Sequence, residues 1–129
     1  MLEIRFHEYS ISTLVQGLQG GRWTSVQITE YFLNRIRELN PTIHAVPYVL
    51  ADQALSQARE SDLRRASGQV LSKLDGIPMT IKDAIRVKDY PSPYGTWFTR
   101  NYRPKTDCRI IEALRKNGLV FMGRSAIPT

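Results

Sequence analysis

Apolar positions along the chain recur at spacings that alternate between helix and strand. Leu14, Val15 and Leu18 form a stripe bounded by Ser10 or Ser12, either of which can cap a helix, and by Gly20-Gly21. A second helix is expected from Thr24, where Thr24-Ser25-Val26-Gln27 fits a capping box. In that motif the hydroxyl and the amide side chain each take up an orphan backbone N–H. Ile28, Tyr31, Phe32, Leu33, Ile36 and Leu39 then fall on one face, and Asn40-Pro41 is expected to stop the helix. Ile43 to Leu50 reads as a strand, for which Pro47 suggests an edge position or irregular pairing. A third helix is expected over Ala51 to Ala66, with Ala54, Leu55, Ala58 and Leu63 inward and Gly68 as its stop. Small alanines there would allow close packing on a neighbour.

Ile77 to Asp83 reads as a strand with Ile77, Met79 and Ile81 on one face and Pro78, Thr80 and Lys82 on the other. From Ala84 to Lys105 the pattern dissolves into prolines, Gly95 and the aromatics Tyr90, Tyr94, Trp97, Phe98 and Tyr102. A loop this long inside a compact domain is usually either functional or wrongly assigned as a loop. Thr106 or Asp107 is expected to cap a fourth helix, with Ile110, Ile111 and Leu114 inward and Gly118 at its end. Leu119 to Met122 is continuously apolar, as in a buried parallel strand. Strand, helix, strand from 77 to 122 implies a right-handed crossover.

These elements define an α/β fold with helices packed on a mixed sheet. Three strands are few for a parallel sheet covered on both faces. The last strand is therefore expected to have an unpaired outer edge, and the chain to be the opening of a larger domain, incomplete as a folding unit. No repeat, heptad run or linker divides it.

Composition changes this picture little. The 129 residues are 42% hydrophobic and 23% charged, as in ordinary globular proteins. No apolar run is long enough to span a bilayer, and the start lacks the pattern of a secretory signal. Cys108 is the single cysteine, so no internal disulfide or cysteine metal cluster is available. Together these lead to an expectation of a cytoplasmic protein without a membrane partner. The net charge of +6 is uneven: residues 61–129 hold 13 Lys/Arg against 6 Asp/Glu, net +7, and residues 1–60 are net −1. The basic residues are scattered, which reads as a solvated face rather than a nucleic-acid site.

Two segments carry a resemblance. Leu74-Asp75-Gly76-Ile77-Pro78-Met79-Thr80-Ile81-Lys82-Asp83 resembles the Gly-Ile-Pro-x-x-x-Lys-Asp block of the amidase-signature family. Lys105 to Thr129, with Leu114-Arg115-Lys116-Asn117-Gly118 and then Gly123-Arg124-Ser125, is similar to that family's helix, strand and Gly-Lys-Thr turn. Gly21 to Ser25, Arg35 to Asn40, and Asp52, Ala54 and Ala58 match its opening helices. Arg124-Ser125-Ala126 stands where the family more often has Lys-Thr-Asn, and Leu119-Val120 replaces small residues. The resemblance implies that residues 1–129 form the N-terminal part of a single amidase domain of α/β/α type. It implies hydrolysis of carbon–nitrogen amide bonds, on a small amide substrate, by a Ser–cis-Ser–Lys relay, with Lys82 as the catalytic lysine and no cofactor or metal. The family's Gly/Ser-rich block, with both serines and the oxyanion-hole amides, has no counterpart in these residues. Ser125 falls at the Gly-Lys-Thr turn and is not the nucleophile, so the chain alone is expected to be inactive.

A lysine base must be neutral to accept a proton, yet a free lysine has a pKa near ~10.4. Desolvation lowers it. Lys82 is accordingly expected to lie dehydrated at the tip of an interior strand. Asp83 would defeat the mechanism by pairing with Lys82, but alternation points neighbouring residues to opposite faces, and no such pair is expected. His7 and His44 stand isolated and read as surface or capping residues, and Cys108 as a buried structural thiol. The aromatics of 90–102 either line a substrate channel or pack the loop on the core. Asp75-Gly76 and Asp89 lack metal-ligand spacing. Other readings are part of a glutaminase-type component of an amidotransferase, a basic binding module, and a truncated non-catalytic remnant.

Overall fold

The computed structural model describes residues 3–127. After a 3₁₀ turn at Phe6–Glu8 come helices α1 (Ile11–Gln19) and α2 (Ser25–Ile43), strand β1 (Tyr48–Val49) and helix α3 (Ala51–Ala66). Strand β2 (Pro78–Lys82), helix α4 (Arg109–Lys116) and strand β3 (Val120–Ser125) complete the order. The sheet runs β1-β3-β2, with β3 parallel to β2 and antiparallel to β1. Helices α2 and α3 cover one face, where Leu33, Ala54 and Ala58 pack on Val120 and Met122. The other face is covered by α4 and the 84–105 loop, through Ile111, Val87 and Tyr90 on Ile81 and Phe121. The result is a small α/β/α sandwich.

Locally encoded features form as expected. The Ser10 side chain caps α1 through the Thr13 amide, and Thr24 and Gln27 complete a reciprocal capping box on α2. A distant residue reinforces that terminus: the Asp62 carboxylate of α3 accepts from the Ser25 and Val26 amides at 2.8 and 3.1 Å. Negative charge at the positive end of the helix dipole fastens α3 to α2.

Several expectations are corrected. Helix α2 passes through Pro41 and ends at His44, a left-handed residue whose amide bonds the Asn40 carbonyl. Pro41 is tolerated because this last turn is exposed, so water can take up the carbonyl it orphans. Leu39 lies on that exposed turn. The expected strand over residues 43–50 shrinks to Tyr48–Val49 because the Asn40 side-chain amide takes both backbone groups of Val46. On α3, Ser61 rather than Leu63 points inward, since Ala54, Ala58 and Ser61 follow the helical period. On α4, Ile111 is buried but Ile110 is exposed. The residue preceding α4 is Cys108, not Thr106 or Asp107. The Asp107 carboxylate is engaged instead by the Lys88 amide and by Arg115.

The edge expected to be bare is also filled. β3 is the central strand, paired on both sides. Where the short β1 leaves it uncovered, the Gln57 side chain of α3 accepts the Phe121 amide at 2.8 Å and donates to the Tyr90 hydroxyl. Gly123 is required here, because a Cβ would lie 2.2 Å from the Tyr48 carbonyl oxygen.

The first helix is held by Trp23, whose indole N–H donates to the Leu14 carbonyl at 3.1 Å and whose ring lies flush on Gly17. A Cβ on Gly17 would fall 1.9 Å from that ring. Trp23 also packs edge-on against Phe6 and stacks on Tyr9, so the ring has little room to retreat. Gly17→Ala should cost about 1–3 kcal/mol, as overpacked cores do, with lower Tm and a shift in Trp fluorescence. An unchanged Tm would mean that α1 repacks freely.

Candidate active site

The strand ends β2 and β3 converge where open α/β sheets place their ligands, beyond the carboxyl ends of parallel strands. Lys82 is the last residue of β2 and lies in register with Ser125 of β3. Alternation puts these two on one face and Ile81, Asp83 and Arg124 on the other. Lys82 is exposed, which corrects the expected dehydration. It projects at the strand tip, where no other group among the described residues forms an ion pair with it.

Asp83 behaves as expected towards Lys82 but has an unexpected partner. It is 2% exposed and Arg124 is fully buried, with Nη2 3.6 Å from Oδ1. Arg124 Nη2 donates to the carbonyls of Asp83 and Ile85 at 2.8 and 2.6 Å and to the Ser92 hydroxyl at 3.1 Å. Asp83 Oδ2 accepts the Gly95 amide at 3.0 Å, and the Asp83 amide donates to the Ser125 carbonyl. The pair therefore clasps both ends of the first half of the loop to the strand tips. Burial presses the Arg124 guanidinium below its ordinary value, and the Asp83 carboxylate opposes that shift. The guanidinium remains charged.

A groove of about 390 Å³ opens directly beyond Asp83. Its walls include Pro47 and Tyr48, the loop residues Gly95, Thr96 and Trp97, and Ile127 after β3. Arg100 stacks on Trp97, with its guanidinium carbon 3.4 Å from the ring centroid. Of the loop aromatics, only Tyr90 is buried, edge-on to Phe121. Trp97 and Phe98 are 70% and 92% exposed. A larger hollow of about 450 Å³ lies beside the C-terminal half of α2, with Arg37 and His44 as its ionisable groups.

Other candidates fall to structural roles. His7 hydrogen-bonds the Tyr31 hydroxyl and stacks on its ring, and His44 terminates α2. Cys108 is half-buried and free, packed beside Ile111 and Phe121. Among the described residues no three His, Cys, Asp or Glu side chains gather to hold a metal ion. Part of the basic excess is spent inside the fold. Arg64 grips the buried Asp75 through two bonds of 2.9 and 2.7 Å, and Arg115 pairs with Asp107. Burial alone would raise the Asp75 carboxyl, but Arg64 and the Leu71 amide outweigh it, and the carboxyl lies below its ordinary value. The stability this contributes is present above the unfolded carboxyl pKa near ~3.9 and is lost as pH falls through the lower folded value. Asp75→Asn should therefore lower stability at neutral pH and flatten its decline in acid, measured by denaturant midpoints from pH 7 to pH 2. A decline as steep as in the parent would assign the acid sensitivity elsewhere.

The family described as Amidase matches residues 27–129. The chain belongs to the amidase family. The A subunit of glutamyl-tRNA(Gln) amidotransferase from Thermobifida fusca is 36% identical over 116 residues, 90% of this chain and 23% of that one. Its counterpart from Chloroflexus aggregans is 37% identical over 118 residues, 92% of this chain and 24% of its own. Among solved structures, native peptide amidase from Stenotrophomonas maltophilia superposes with a TM-score of 0.87 at 29% identity, over 93% of this chain and 25% of that one. Fatty acid amide hydrolase gives 0.84 at 25% identity, over 93% and 21%. The chain thus spans about a quarter of the length of these amidase-family relatives. No helix among the described residues is long and apolar enough to cross a membrane.

The groups that sequence reasoning missed are Arg124 and its clasp. The available signal was a charged residue one step beyond an apolar strand, opposite a second strand that ends in Lys-Asp.

Proposed function

We propose that this chain is the lysine-bearing N-terminal part of a single amidase domain that hydrolyses carbon–nitrogen amide bonds. The observation that carries the proposal is Lys82 at the carboxyl end of β2, inside the family's lysine block and one residue from a groove. In this mechanism one serine attacks the carbonyl, a second relays its proton, and neutral Lys82 accepts it. Both serines come from the family's Gly/Ser-rich portion, which also covers Lys82 and supplies the desolvation that its exposure in residues 3–127 lacks. A small amide binds at the strand tip beside Lys82, next to the groove beyond Asp83 that the 84–105 loop walls. The free thiol of Cys108 suits a reducing compartment, and we place the enzyme in the cytoplasm.

A second reading within the family is favoured by a specific observation: the Thermobifida and Chloroflexus relatives are A subunits of glutamyl-tRNA(Gln) amidotransferase. Here the amide is glutamine, and the ammonia released passes to an acceptor. Ammonia release separates the two when measured on glutamine and on simple primary amides. The chain alone should be silent on both, and activity should arise when the Gly/Ser-rich portion is fused after Thr129. Hydrolysis by residues 1–129 alone would contradict the division of labour proposed.

A further inference from the structure

The lysine and its neighbouring carboxylate pose an electrostatic problem that the fold addresses. Asp83 carries a negative charge one residue from Lys82, and alternation separates the two side chains without removing the field between them. An unopposed carboxylate there would favour the ammonium form and weaken Lys82 as a base. Arg124 meets Asp83 on the far face of the strand pair, in register with Ile81 and therefore next to both residues. It is fully buried, so its charge is not spread into solvent.

We propose that Arg124 is a positioning residue that insulates Lys82 from the charge of Asp83, holding the carboxylate in a compensated pair behind the strand. This rests on Lys82 being the proton acceptor, but its electrostatic content can be measured without catalysis. The pair contributes nearly zero net charge at the strand tip while still fastening the loop through Ser92 and Gly95. The other titratable groups facing the pair are Tyr94 from the loop, Cys108 before α4, and Tyr48, whose backbone pairs with Arg124 on β1. Tyr94→Phe and Cys108→Ser remove the two that act on the guanidinium and define the background for the comparison.

In that background, Lys82 is titrated by NMR through its ε-methylene carbon, assigned with Lys82→Arg, at low ionic strength where screening is weak. Arg124→Gln leaves Asp83 unopposed and should raise the Lys82 pKa. Asp83→Asn leaves the guanidinium unopposed and should lower it. The double exchange should return it to the parent value, and Arg124→Lys should leave it in place. Each single shift should be about 0.4 to 1.5 pH units, as for unit charges roughly 8 Å apart at effective dielectric constants between about 80 and 20. Opposite signs are the signature, because a loosened structure would move Lys82 the same way in both variants. Should Arg124→Gln alone fail to fold, the double exchange compared with Asp83→Asn decides: the Lys82 value should be higher in the double exchange, and equal values overturn the insulation. A Lys82 value unmoved by both changes, or moved in one direction by both, overturns the insulation. Activity lost in Lys82→Ala would leave the base role standing even then. Activity retained in Lys82→Ala would remove the base role whatever the titration shows.

Discussion

Arg124→Ala should destabilise the protein by about 3–5 kcal/mol, the usual cost of removing one partner from a buried ion pair. The loss has three parts. Asp83 is left as an uncompensated carboxylate at 2% exposure. The carbonyls of Asp83 and Ile85 and the Ser92 hydroxyl lose their shared donor. A void also opens between the loop and the strand tips. Native stabilities are only of the order of 5–15 kcal/mol, so the change should be plain in a denaturant midpoint and should free the 84–105 loop to proteolysis before global unfolding. Removing both charges together, as Asp83→Asn with Arg124→Met, should recover a large part of the loss, because no unpaired ion remains. The contrast is Arg5 with Glu8, 60% and 51% exposed, where Arg5→Ala should change stability by no more than about 1 kcal/mol. Equal effects at Arg5 and Arg124 would mean that the clasp contributes no more than a surface pair.

The parts legible in the sequence are those fixed by neighbours in the chain. The capping box at Thr24 and Gln27, the start of α1 and the span of α3 depend on local hydrogen bonds and spacing, and all three form as read. Misreadings arise where a distant group overrides local propensity. The Asn40 side chain reaches six residues along to bind Val46 and removes most of an expected strand. Gln57 and β1 complete an edge that counting strands left bare. At the candidate site, Lys82 stands out in the sequence because it sits in a dense block of residues that resembles the family's. Its exposure was not legible, because burial depends on what packs against a strand tip. Arg124 was unread for a related reason: a run of apolar residues that stops at Gly123 suggests a strand that stops there too. The strand instead continues through Arg124, whose buried charge is met by the Asp83 carboxylate and by the acceptors of Asp83, Ile85 and Ser92.

Lys82→Ala tests the central claim most directly, in the protein completed with the Gly/Ser-rich portion. Losing the proton acceptor should lower kcat by about 10²–10⁴-fold, since general acid–base groups contribute on that scale. KM should change little, because the lysine acts on the transition state and not on the bound amide. In residues 1–129, where Lys82 is exposed, the same exchange should change stability by no more than about 0.5 kcal/mol, and a cooperative unfolding transition in the completed protein shows that the loss is not unfolding. A collapse of kcat in a folded Lys82→Ala protein is the result predicted; amide hydrolysis at the parent rate would contradict the proposal.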